Sequence, residues 1–180
     1  PATFGETDPA SAMALAGLLR TIGGTEYPIA PERRAEALAR LREDGPAGFT
    51  LGGCHLSVQN GRLRVCRDWG AVRAEIPVHP GMCLDWDRRF SIAIPADLAD
   101  ATGLTIARLG ERGIRSLGRD PAKPAREIAD SIPIEARKAL PALWQGDRLV
   151  AVPHLAFGPP IAVRFEPANP ATSSGFTVAY

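Results

Sequence analysis

The sequence contains few cysteines and no long apolar run. Three of its 180 residues are cysteine, too few for a disulfide framework, which favours a reducing, cytoplasmic compartment. No apolar run approaches the ~20 residues that a membrane-spanning helix needs, and the N-terminus lacks the basic and apolar regions of a signal peptide. The hydrophobic content of 45% is typical of a globular protein and excludes a disordered one.

The chain also has little net charge. It carries 21 basic and 20 acidic residues, a net charge of +1, and arginine outnumbers lysine by 19 to 2. So small a net charge argues against a protein coated in positive charge for nucleic acid, but it allows a local basic patch. The average conceals a division: residues 1–46 carry −2 (5 basic, 7 acidic), residues 47–120 carry +2 (10 and 8), and residues 121–180 carry +1 (6 and 5).

Signatures of catalysis are missing as well. The sequence has no glycine-rich phosphate loop, no Gly-x-Ser-x-Gly, no His-Glu-x-x-His and no Cys-x-x-Cys. We therefore expect no catalytic, cofactor-binding or metal-binding residues in this chain. Because the sequence begins with Pro1 rather than Met and enters helical sequence almost at once, we expect it to be a piece of a longer protein.

Residues 1–46 are predicted to form two short helices. In the first, Thr7 or Asp8 is the N-cap and Pro9 is the first helical residue. Its apolar stripe consists of Leu15, Leu18, Leu19 and Ile22. The second helix begins at Pro31. Helices this short cannot bury a core alone, so we expect them to pack on the rest of the chain or on a partner.

A β-hairpin is predicted where apolar and polar residues alternate on both sides of Asn60-Gly61. Both residues of that pair tolerate positive φ, which suits a two-residue turn. This turn pairs Gln59 with Arg62 and His55 with Cys66. The register predicts an apolar face of Cys54, Leu56, Val58, Leu63 and Val65, and a polar face of His55, Ser57, Gln59, Arg62, Arg64 and Cys66.

The rest of the chain alternates short strands with helices, and residues 85–90 are predicted to contain a turn. The predicted strands are 71–78, 88–94, 104–107, 142–144, 148–152 and 161–166, and the predicted helices are 125–131 and 134–139. The pattern indicates the α+β class, with a small mixed β-sheet and packed helices preceded by a short helical segment.

Two groups of residues could bind a metal ion or transfer protons. The first is Cys54, His55, Cys66, His79 and Cys83, but the hairpin register places Cys54 and Cys66 on opposite faces, where they cannot share one ion. Reduced thiols are therefore the interpretation that we favour over zinc. Asp85 and Asp87 would share a face if extended and could act as an acid–base pair or hold a cation. Solvated carboxylates in a turn are the alternative.

Arginines are the better candidates for a functional surface. Arg62 and Arg64 on the hairpin could contact phosphates, with His55 as a stacking partner. A second stripe forms if residues 108–119 are helical, which two glycines put in question; its members are Arg108, Arg112, Arg115 and Arg119. His154 follows a proline at a strand exit, where functional residues often lie. The alternatives are a solvated arginine face, a structural histidine, and core rather than base-stacking roles for Trp69, Trp86 and Trp144.

Three stretches match a pattern that one enzyme family shares. They are Phe-Thr-Leu-Gly-Gly-Cys-His-Leu at 49–56 with Leu-Arg-Val-Cys-Arg at 63–67, Leu-Asp-Trp-Asp-Arg-Arg-Phe at 84–90, and residues 140–155 with their Pro-Ala-Leu-Trp turn and Val-Pro strand end. Together they resemble the C-terminal region of bacterial tRNA(Ile)-lysidine synthases, especially proteobacterial ones. The resemblance covers about residues 20–170, and its motifs are structural rather than catalytic.

The resemblance implies the end of a ligase that joins lysine to the wobble cytidine of the CAU anticodon of tRNA(Ile). In the family, ATP adenylates the cytidine in an N-terminal domain whose Ser-Gly-Gly-x-Asp-Ser loop has no counterpart here. Residues 1–46 would be the end of the central helical domain, and residues 47–180 would be an α+β substrate-binding domain. ATP with magnesium and lysine would serve the N-terminal domain, and the fragment alone would be inactive. The implied partners are tRNA(Ile), that catalytic domain and, as a further candidate, a second copy of the chain in a homodimer, with no membrane.

Eight residues are the candidates for tRNA binding under this interpretation: Arg62, Arg64, Arg88, Arg89, Arg112, Arg115, Arg148 and His154. The alternative function is a non-catalytic structural or interaction module that packs on partner domains. That alternative predicts an exposed apolar patch on residues 1–46.

Overall fold

The computed structural model describes residues 9–43, 48–59, 61–98, 102–119 and 123–170. The described chain divides into two compact units, one with the residues up to Asp68 and those from Pro167 onward, the other with Trp69–Glu166. The α+β class with helices at the N-terminus is confirmed. Every described strand pair is antiparallel, whereas we expected a mixed sheet. The assignment of residues 1–46 and 47–180 to two functional domains stays a prediction.

The first unit packs two helices with a three-stranded sheet. Its elements are α1 (Pro9–Gly23), α2 (Pro31–Glu43), β1 (Phe49–Leu51), β2 (Cys54–Gln59) and β3 (Arg62–Arg67), with sheet order β1-β2-β3. Both helices begin at the predicted proline, a residue suited to the first helical position because its missing N–H has no partner there. The predicted cap at Thr7 or Asp8 lies outside the described residues.

The hairpin of β2 and β3 has the predicted register. Gln59 pairs with Arg62 and His55 with Cys66, and Gly61 has φ +70° in the turn, while Asn60 lies outside the described residues. The apolar face packs on α1 in one core with Leu15 and Leu19. The opposite face is less exposed than predicted, because Ser57 and Cys66 are buried.

Asn169, in the described segment 167–170, attaches to the end of α1. The Arg20 Nη2 donates to Asn169 Oδ1 at 2.7 Å, and the Thr21 hydroxyl donates to the Asn169 carbonyl at 2.8 Å. The Asn169 amide in turn donates to the Thr25 carbonyl at 3.1 Å. These three bonds connect residues that are far apart in the sequence within the first unit.

The second unit contains two antiparallel sheets and three helices. Its strands are β4 (Ile76–Val78), β5 (Cys83–Trp86), β6 (Phe90–Ala93), β7 (Leu104–Arg108), β8 (Pro141–Gln145), β9 (Arg148–Ala151) and β10 (Ala162–Phe165). Its helices are α3 (Gly110–Arg119), α4 (Lys123–Ser131) and α5 (Ile134–Lys138). The sheet orders are β4-β7-β8-β9 and β10-β6-β5.

The four-stranded sheet lies between two cores. Leu143 on β8 belongs to the core that also contains Trp86 and Ile92, whereas its neighbour Trp144 belongs to the core with Leu109 and Leu155. Successive strand residues point to opposite faces, so a strand covered on both sides becomes apolar throughout. This explains why Pro141–Trp144 are all buried.

Two predicted elements of this unit need correction. Only Ile76–Val78 of the predicted strand 71–78 is a strand, and a short 3-10 helix precedes it at Trp69–Ala71. The turn at 85–90 is narrower than expected, because Cys83–Trp86 forms an additional strand and pairs with β6. The condition for the arginine stripe at 108–119 is met only in part, since Arg108 ends β7 before α3 begins at Gly110.

Candidate nucleic-acid interface

Arg112 on α3 lies over the indole of Trp144 on β8. Its guanidinium carbon is 3.8 Å from the ring centroid, the stacked arrangement that arginine favours on aromatic faces. The approach of α3 requires Gly113, since a Cβ at that position would collide with the Leu109 side chain and lie 3.3 Å from the Trp144 ring. The local sequence therefore brings a half-exposed guanidinium against a buried aromatic ring.

The turn between β8 and β9 carries a carboxylate to the same arginine. Arg112 Nη1 donates to Asp147 Oδ1 at 3.1 Å, and the Asp147 side chain is fully exposed. Asp147 lies in the two-residue connection between Gln145 and Arg148, which are paired across the hairpin. Arg112 and Arg148 thus flank the same turn of the second unit.

Arg115 extends this surface along α3. It is exposed and lies three residues after Arg112, a spacing that places two side chains on one helix face. Arg148, at the first position of β9, is exposed as well. We call the surface formed by Arg112 and Arg115 the basic surface. Arg148 precedes Leu149, which packs with Trp144, so Arg148 points to the other face of the sheet.

Arg108, another member of the predicted 108–119 stripe, does not join the basic surface. The guanidinium of Arg108 points into its own unit, where Nη1 donates to the Trp69 carbonyl at 3.0 Å and also to the Val72 carbonyl. Its Cζ lies 5.3 Å from the Trp69 ring centroid. Arg119 is the last residue of α3, and its side chain lies outside the described part of the chain.

Arg88 and Arg89 have opposite environments in the turn between β5 and β6. Arg88 is exposed, whereas Arg89 is 6% exposed. The Arg89 Nε donates to Asp87 Oδ2 at 2.8 Å, and its Nη2 lies 2.7 Å from the same oxygen. Since Asp87 is also buried and has φ +51°, it does not form the extended pair with Asp85 that the sequence suggested.

His154 packs beside this ion pair. Its ring meets the Phe90 ring edge-on at 5.2 Å between centroids, and its buried Nδ1 has no hydrogen-bond partner among the described residues. Burial lowers the pKa of His154 below its usual 6.5, and the charge of Arg89 lowers this pKa further. His154 is therefore neutral at pH 7, a state that gives no charge for a phosphate contact.

Arg62 and Arg64 lie on β3 of the first unit. Both are exposed, and they pair with Gln59 and Ser57 across the hairpin. They form a separate pair of exposed cations within that unit. The sequence-predicted residues are thus divided among the hairpin, the basic surface, the start of β9 and the Asp87–Arg89 turn.

The residues that suggested a metal site are dispersed. Cys54 and Cys66 are buried thiols, and Cys83 is exposed. Across the described ranges, no three or more His, Cys, Asp or Glu side chains form a group that could hold a metal ion. No helix in the described part of the chain is long and apolar enough to cross a membrane.

A cleft of about 360 Å³ lies next to Arg148 in the second unit. Arg148 and Gln145 contribute to its wall, together with Pro95, Asp97 and Val150. Its polar lining residues are Asp97, Gln145 and Arg148. Sequence reasoning missed both the cleft and Asp147, because the partners come from segments that are 35 or more residues apart.

The tryptophans have mainly packing roles. Trp86 is fully buried and its Nε1 donates to the Ala74 carbonyl at 3.1 Å. Trp144 is buried beneath Arg112. Trp69 is partly buried, with Arg108 and Lys138 both within 5.3 Å of its ring centroid. The rings of Trp69 and Trp144 thus contact arginine or lysine side chains of the same unit.

Comparison with known proteins gives one informative similarity. The chain is 35% identical over 133 residues to tRNA(Ile)-lysidine synthase from Ruegeria pomeroyi. The matched region is 73% of this chain but 28% of that protein, so the chain spans less than a third of the relative's length. No protein-family model matches the chain, and no solved structure matches it.

Proposed function

We propose that this chain is the C-terminal, tRNA-holding part of a tRNA(Ile)-lysidine synthase. The observation that carries the proposal is the 35% identity over 133 residues to the Ruegeria pomeroyi protein of that name. The exposed arginines of the basic surface support a role in binding, because arginine forks match phosphate oxygens in geometry and charge.

In this proposal the chemistry belongs to another domain of the parent protein. An N-terminal catalytic domain would use ATP with magnesium to adenylate the wobble cytidine, and lysine would then displace AMP. The present chain would hold tRNA(Ile) in the cytoplasm and would be inactive alone. A homodimer is a further expectation from the sequence.

The arginines have different roles in the proposed complex. Arg112, Arg115 and Arg148 would contact phosphates on one unit, and Arg62 and Arg64 would contact them on the other. Arg88 would contact phosphate from an exposed turn. Arg89 and His154 would instead support that turn, because their side chains are occupied or buried within the second unit.

Fluorescence anisotropy with end-labelled tRNA(Ile) that carries the CAU anticodon tests the proposal. We expect binding at 50 mM salt that weakens at least about 20-fold at 200 mM, since even three of these six phosphate contacts would release about two counterions. The double variant Arg112→Gln/Arg115→Gln should bind more weakly and show a smaller salt dependence. The control Arg73→Gln/Arg164→Gln removes the same charge from exposed positions of the same unit and should lose less.

Absence of tRNA binding at 50 mM salt would refute the tRNA-holding role, as would equal losses in both double variants. The first result would favour a structural or interaction module. One observation fits that second candidate: Met13 and Tyr27 in the helical segment of the first unit are 73% and 77% exposed. This candidate requires that such exposed apolar side chains form a contiguous patch on the helical segment.

A further inference from the structure

Arg112 contacts two side chains of different character, the Trp144 ring and the Asp147 carboxylate. The Trp144 ring covers one face of the guanidinium at 3.8 Å, and the Asp147 carboxylate accepts from its Nη1 at 3.1 Å. Trp144 is fixed in the core, whereas Asp147 is at a fully exposed turn. One partner is therefore rigid and the other is displaceable.

These two contacts have different consequences for an incoming phosphate. Stacking on Trp144 fixes the plane of the guanidinium and leaves its N–H edges to point along the protein surface. Asp147 occupies one of those edges, and it is an acceptor with the same charge sign and similar oxygen geometry as a phosphate. A phosphate that binds this edge has to displace the carboxylate.

We infer that Asp147 is a positioning residue that competes with RNA phosphate for Arg112 and keeps binding at the basic surface weak and reversible. This inference rests on the proposed function and adds a control of affinity to the same surface. Without RNA, Asp147 and Trp144 hold Arg112 in one orientation, so less side-chain freedom is lost on binding. With RNA, the exposed carboxylate returns to solvent at small cost.

A double-mutant cycle with labelled tRNA(Ile) tests the inference. Asp147→Asn should tighten binding about two- to fivefold, the range expected from removal of an exposed ion pair. The same change in an Arg112→Gln background should have no effect, because its target is gone. Asp130→Asn is the matched control, since Asp130 is also exposed in this unit and lies 3.6 Å from an arginine, Arg137.

The outcomes separate the two ideas. If the unmodified chain does not bind the tRNA, the proposed function and this inference are both overturned. If it binds, but Asp147→Asn is no tighter than Asp130→Asn, only the inference is overturned. Equal tightening by Asp147→Asn with and without Arg112 would also overturn it, because the effect would then be a general loss of negative charge. Far-UV circular dichroism confirms that each variant is folded.

Discussion

The buried ion pair of Asp87 and Arg89 gives the sharpest test of the second unit. Both side chains are 7% exposed, and the closest nitrogen–oxygen distance is 2.7 Å. At that distance Coulomb's law gives an attraction of about 6 kcal/mol for an effective dielectric constant of about 20. Desolvation of both ions offsets much of this attraction, so the pair itself adds little net stability. Removal of one partner is different, because the other charge stays buried.

We therefore expect Asp87→Ala to lower the free energy of unfolding of the second unit by about 3–5 kcal/mol. Asp87 also has φ +51°, a conformation that alanine adopts less readily than Asp or Asn. Asp87→Asn keeps the left-handed preference and one acceptor, and should lose less than alanine. Asp85→Ala, an exposed neighbour on β5, should change the stability by no more than about 0.5 kcal/mol.

Tryptophan fluorescence during urea unfolding measures this unit selectively. The three tryptophans, Trp69, Trp86 and Trp144, all belong to the second unit. A loss of 3 kcal/mol in a unit of this size should also lower the thermal midpoint by at least about 12 °C. A loss below about 1 kcal/mol for Asp87→Ala, with the same dependence on urea as the unmodified chain, would refute the claim that the pair is buried and mutually dependent.

Two further predictions concern packing and protonation. Gly113→Ala should destabilise the second unit by about 1–3 kcal/mol because the new methyl group meets Leu109. Gly118→Ala on the same helix has open space and should stabilise the unit by about 0.5–1 kcal/mol. Equal effects of the two variants in urea unfolding would contradict the close approach of α3. The pKa of His154 is lowered in the folded state, so the unfolded chain binds more protons and the stability falls as the pH drops below about 6.5. His154→Gln should remove the contribution of this histidine to the fall in the free energy of unfolding between pH 7.5 and 5. An unchanged pH profile of the stability would contradict the burial of the ring.

Local signals predicted much of the first unit. Asn60-Gly61 predicted the hairpin register correctly. A two-residue turn determines which residues of the strand before it pair with those of the strand after it. Pro9 and Pro31 marked the starts of both helices. What the pattern did not indicate was the burial of Ser57 and Cys66, because alternation separates the two faces of a strand but does not show how exposed each face is.

The second unit shows where such signals end. Strand β5 has only four residues, too few for a periodic pattern, and its pairing with β6 becomes evident only in three dimensions. Arg89 appeared equivalent to Arg88 in the sequence, yet one is buried and the other exposed. The difference arises because Asp87 and the Ala139 carbonyl accept hydrogen bonds from Arg89, and Ala139 is 50 residues away.

The near-neutral charge of the chain is compatible with a basic surface because some of its charged side chains are paired within the protein. Arg89, Arg137 and Lys138 of the second unit lie against carboxylates of the same unit. Arg108 donates to backbone carbonyls. Carboxylates neutralise the first three side chains, and hydrogen bonds hold Arg108 inside the unit. A count of charged residues treats all four as available for binding. At the basic surface Asp147 lies 3.1 Å from Arg112 in the same way, while the potential near a surface depends on the charges within about a Debye length of 10 Å. Net charge thus predicts solubility and long-range attraction better than it predicts whether a particular face can hold phosphates.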